Sequence, residues 1–74
     1  SSLAKMSDNG EISVLYMIEE GPDTLSDRVL HASGWEPTSA ITDWRFGERS
    51  DIDEISPEIA KKAAEEWGMG QLVD

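Results

Sequence analysis

Hydrophobic and polar residues alternate from Glu11 to Glu20, with Ile12, Val14, Tyr16 and Ile18 on one face and Ser13, Leu15 and Met17 on the other. A period of two with β-branched and aromatic members predicts a strand, and its apolar second face predicts one covered on both sides. Asn9-Gly10 ahead of it is a turn signal, and Gly21-Pro22 breaks it. Residues 1–8 are small and polar without a period, so residues 1–10 read as a flexible, frayed lead-in.

Beyond the break the period lengthens. Thr24 with Asp27 three positions on resembles a capping box; Leu25, Val29 and Ala32 then share a helical face, and Gly34 suits the position just past a helix end. This predicts a helix over 25–33, with His31 late in it as a capping or packing residue. Residues 38–46 fit two periods. As a strand, Ala40, Thr42, Trp44 and Phe46 alternate against Ile41, Asp43 and Arg45; as a helix, Ser39 caps it and Ile41, Trp44 and Arg45 share a face. Strand is preferred, since Thr, Ile, Trp and Phe are strand-prone and Pro37 and Gly47 bracket a strand-sized run. The last helix is marked at both ends: Ser56 as N-cap, Pro57 at the first helical position, Glu58 in the first turn and Gly68 as terminator. Its apolar stripe is Ile59, Ala63 and Trp67, with Ala60 and Ala64 alongside, and Glu58–Lys62, Lys61–Glu65 and Lys62–Glu66 are spaced to pair on the outer face.

These elements predict one small α+β domain over residues 11–74 in β-α-β-α order, a two- or three-stranded sheet packed by two helices on one side. So small a sheet is marginal alone, so the tail Gln71-Leu72-Val73 or a second copy, as a homodimer, would complete it. The alternative is a mainly helical domain in which residues 25–46 form a helix, a turn at Ser33-Gly34-Trp35 and a second helix with Ile41 and Trp44 inward. That arrangement resembles the DNA-binding helix-turn-helix.

Composition narrows the function classes. Sixteen acidic against six basic residues give a net charge of −10 in 74 residues, which repels phosphate backbones and membranes and attracts basic surfaces. Arg28, Arg45 and Arg49 are too few to hold a duplex, so direct nucleic-acid binding is disfavoured. The excess is heaviest after residue 50, where Asp51, Asp53, Glu54, Glu58, Glu65, Glu66 and Asp74 face only Lys61 and Lys62. There is no cysteine, which removes thiolate chemistry and disulfides and leaves a reducing cytoplasm compatible. No apolar run is long enough to span a membrane.

Catalytic and metal chemistry find little support. His31 is the only histidine and has no cysteine or nucleophile-elbow serine to partner. Laid on a calcium loop, the run from Asp51 puts Ser56 where glycine is needed and Lys62 where the bidentate glutamate belongs. The expectation is a non-enzymatic protein-interaction or inhibitory module without cofactor or metal. It would act through an acidic surface of Asp51, Asp53, Glu54, Glu58, Glu65 and Glu66 on a basic nucleic-acid-binding protein, as phage-encoded inhibitors and nucleic-acid mimics do. The alternative is a small helix-turn-helix regulator. Trp35, between a glycine and Glu36-Pro37, is the expected interface anchor.

Overall fold

A computed structural model of the chain describes residues 1–18 and 27–73. They form β1 (Ser2–Met6), β2 (Ile12–Met17), β3 (Arg28–His31), β4 (Gly34–Pro37), α1 (Ala40–Arg45), β5 (Ile52–Ile55) and α2 (Pro57–Glu66), then a 3-10 turn over Gly70–Leu72. The strands make one antiparallel sheet in the order β4-β3-β2-β1-β5. The architecture is therefore mostly sheet, with five strands where two or three were expected. It is neither β-α-β-α nor a helical bundle.

The lead-in expected to fray is the strand on which the sheet closes. β1 pairs with β2 on one side and with β5 on the other. The pairing runs on past its ends: Ser1 and Ile18 exchange bonds of 2.8 and 2.9 Å, and the Met6 N–H donates to the Asp51 carbonyl at 3.1 Å. Strand β1 is hard to see in the sequence because the α2-side residues at its start and centre, Ser2 and Ala4, are small. Ala4, fully buried, lies where α2 packs on β1 with its own buried alanines, Ala60, Ala63 and Ala64. Close approach of a helix to a sheet selects small residues on both, and small residues carry little hydrophobic pattern.

The β1–β2 hairpin turns at Asn9-Gly10 as the sequence predicts. Gly10 has φ +83°, and the Asn9 side chain accepts from the Glu11 N–H at 3.1 Å. Within it Lys5 faces Val14 while Met6 faces Ile12, so Ser13 is an extra residue on β2. That bulge corrects the expected faces. Val14, Tyr16 and Ile18 share one core, but Ile12 joins Leu15 on the other.

The helix expected over 25–33 is contradicted from residue 28 onward. Thr24, Leu25 and the break at Gly21-Pro22 lie outside the described residues. Arg28–His31 and Gly34–Pro37 form a hairpin, with His31 opposite Gly34 and Leu30 opposite Trp35. Val29 and Leu30, adjacent in sequence, are buried in different cores. Both faces of the strand are covered, a condition that a helix of this amphipathicity cannot meet. Gly34, at φ +113°, serves the hairpin turn instead of a helix end; a left-handed glycine suits either. The helix-turn-helix reading loses its first helix with this.

Residues 40–45, expected as strand, are a helix. Ser39 stands at the N-cap but its side chain makes no capping bond; the Thr38 hydroxyl accepts from the Ala40 N–H at 3.1 Å instead. Six residues are too few for a helix to persist on propensity. Packing holds it: Ile41 is fully buried with Leu3, Tyr16, Val29 and Ile52, and Trp44 packs against them. Strand propensity loses to this tertiary context. The two helices thus lie on opposite faces of the sheet, not on one side, and each covers its own core.

Helix α2 follows its sequence signals. Ser56 Oγ accepts from the Ile59 N–H at 3.2 Å, and Pro57 occupies the first turn. At the far end the Met69 N–H reaches the Ala64 carbonyl at 2.8 Å and the Gly68 N–H the Glu65 carbonyl at 3.0 Å, with Gly68 at φ +75°, the paired bonds of a Schellman end. The tail then docks, with Val73 buried among the α2-side core.

Candidate functional site

The six carboxylates of the expected acidic surface are spread along one continuous stretch of chain. Asp51 precedes β5, Asp53 and Glu54 lie on it, Glu58 is in the first turn of α2, and Glu65 and Glu66 are its last residues. Strand β5 is an edge of the sheet, where exposed charge discourages pairing with other chains. Register splits its two acids. Asp53 pairs with Ala4 and points to the α2 side; Glu54 pairs with Leu3 and points to the α1 side. The surface therefore wraps the β5 edge instead of forming one flat face.

Asp53, Glu54, Glu58, Glu65 and Glu66 are exposed, and among the described residues none of them enters an ion pair. The expected helical pairs Glu58–Lys62, Lys61–Glu65 and Lys62–Glu66 do not close. Lys61 is drawn away to the tail, donating to the carbonyls of Val73 at 2.8 Å and Gly70 at 3.2 Å. Asp51 differs from the other five. Arg49 grips it through two bonds of 2.9 and 3.1 Å, and this holds the Asp51 carboxyl below the usual carboxylate range while raising the Arg49 guanidinium. Among the described residues no three of His, Asp and Glu gather as metal ligands would.

Trp35 is half-buried on β4, against the α2-side core, and its indole N–H donates to the Leu72 carbonyl at 2.8 Å. Its polar handle is therefore committed inside the molecule, where with Lys61 it pins the tail. His31 is an exposed strand residue 3.5 Å from Glu36.

An open trough escapes the sequence reading. The sheet buries the alanines of α2 and leaves the large members of the stripe at its margin, Ile59 at 50% and Trp67 at 36% exposure. These two, with Ala63, form one wall above Met6 and Ile12 of the β1–β2 hairpin, enclosing about 580 Å³. Glu11, Lys62 and Glu66 stand at its rim. The Ser13 bulge helps to build it, because it brings Ile12 to this face. The available signal was the width of the α2 stripe, which spans more of the helix than one sheet face can cover.

Among the described residues no helix is long and apolar enough to cross a membrane. Comparison of the chain with protein-family models, with curated proteins and with solved structures finds no match.

Proposed function

We propose that this chain is a non-enzymatic protein-interaction or inhibitory module that engages a basic partner, of the kind that otherwise holds nucleic acid, through its acidic surface. The observation that carries the reading is the exposure of Asp53, Glu54, Glu58, Glu65 and Glu66, outside every ion pair of the described residues, in a chain of net charge −10. Carboxylates left unneutralised around an edge strand and along a helix offer a basic groove the same sign of charge that phosphates offer it. They steer the encounter, so association is fast and weakens with salt. Asp51 belongs to this surface by position and contributes less, because Arg49 offsets its charge. Cytoplasmic placement is part of the same reading, and a chain without cysteine is compatible with it.

The test is competition. A dye-labelled duplex bound to each of several basic DNA-binding proteins is titrated with the wild-type chain and with a variant carrying D53N, E54Q, E58Q, E65Q and E66Q. Displacement of the duplex by the wild type, weaker at high salt and absent with the variant, is the expected result. No displacement from any of them at low salt, or equal displacement by the variant, removes the reading.

A further inference from the structure

The trough beside α2 is where the fold leaves bulky apolar groups in water next to a deficit of positive charge. Ile59 and Trp67 are exposed on its wall, Met6 and Ile12 lie beneath them, and at the rim two carboxylates, Glu11 and Glu66, face one ammonium, Lys62. We infer that this trough docks a basic amphipathic segment of a partner protein, laid as a helix in the groove, with aliphatic side chains against Ile59 and Trp67 and flanking Lys or Arg against Glu11 and Glu66. The inference rests on the acidic-module reading and adds to it an apolar anchor at a defined place.

Charge complementarity selects this occupant. A second copy would bring a rim of the same sign and another net charge of −10 to the contact, so its approach is opposed at low salt. A small molecule fits poorly: such sites bury roughly 70–90% of the ligand and aim several polar groups inward, whereas this trough is open and its charged groups stand at the rim. A helix presenting residues at i, i+3, i+4 and i+7 along one face and charge along the other suits a trough that sets Ile59 and Trp67 beside Glu11 and Glu66. Met6 is a flexible lining that adapts to side chains of different shape. Trp67 offers an aromatic face on which a flanking lysine or arginine stacks.

The experiment is fluorescence anisotropy with two dye-labelled peptides of identical composition, one a helix with leucines on one face and Lys/Arg on the other, the other scrambled to destroy that face. Each is titrated with the full chain, with I59S and with E11Q/E66Q, all checked for wild-type circular dichroism. The expected result is about tenfold tighter binding of the amphipathic peptide, equivalent to about 1.4 kcal/mol. In I59S that preference is lost and the scrambled peptide is unaffected; in E11Q/E66Q binding of the amphipathic peptide weakens. Equal binding of both peptides overturns the trough and leaves the acidic surface standing, while no binding of either at low salt overturns both. A preference that survives in I59S or is untouched in E11Q/E66Q also overturns the inference. So does a salt-resistant dimer by sedimentation that I59S dissolves, since the occupant is then a second copy.

Discussion

Asp27 is the one charged side chain buried among the described residues, and Arg45 answers it from the far end of α1 with bonds of 2.9 and 3.4 Å. A buried carboxylate is tolerated only when paired, so this fork ties the start of β3 to α1. The sequence pattern puts Asp27 in a cap and Arg45 on one face of a strand, with a helical face as the alternative, because an ion pair across 18 positions leaves no local periodicity. R45A is expected to cost about 1–3 kcal/mol, less than a fully buried pair because the Arg45 side chain is 41% exposed. D27N/R45A should recover part of that loss, since it also removes the stranded charge. Urea unfolding of the three proteins decides it, and an R45A variant as stable as wild type would show the fork to be idle. Asp51 gives a second test at this scale. Its folded-state titration is shifted down by Arg49, so the contribution of the pair is present above the unfolded carboxylate pKa and is lost as pH falls through the lower folded one. Carboxyl NMR of R49Q should move the Asp51 midpoint upward, toward the ordinary range.

Element legibility followed how local the determinants are. Helix α2 was readable end to end because Ser56, Pro57 and Gly68 act within a turn of their own position. The β2 strand was readable from its alternation, though its faces were not, because the Ser13 bulge depends on the partner strand. The hairpin at 28–37 differs from its local pattern because Val29 and Leu30 are buried on opposite faces, and helix α1 because Ile41 and Trp44 pack on one core of the assembled sheet, neither of which the one-dimensional pattern carries. Strand β1 was missed for its small residues, and it carries the sharpest expectation. Deleting residues 1–6 removes the strand that joins β2 to β5 and uncovers both cores at Leu3 and Ala4. The truncated chain should show no cooperative thermal transition by circular dichroism; a frayed lead-in would have left the melting temperature nearly unchanged.

The whole molecule sets two thin cores, one on each face of a single sheet, against a net charge of −10. Self-repulsion of that size opposes compaction and is screened by salt. Sodium chloride should therefore raise the melting temperature of the wild type, and the D53N/E54Q/E58Q/E65Q/E66Q variant should start higher and respond less; an equal salt response in both would place the strain elsewhere. The candidate surface was legible at this scale as an excess of acid after residue 50, while the trough was not, since it exists only where α2 overhangs the hairpin. The position of β1 also governs how the chain reaches this state during synthesis. Its partner on one side, β2, follows it directly in the chain, but its partner on the other, β5, pairs Ser2 with Ile55 and is made only after β2, β3, β4 and α1. Until then the nascent sheet carries β1 as an open edge with two half-covered faces. Completion of the fold waits on a long loop closure, and a chain cut short before residue 52 would be left as a sticky intermediate in place of a partly finished domain.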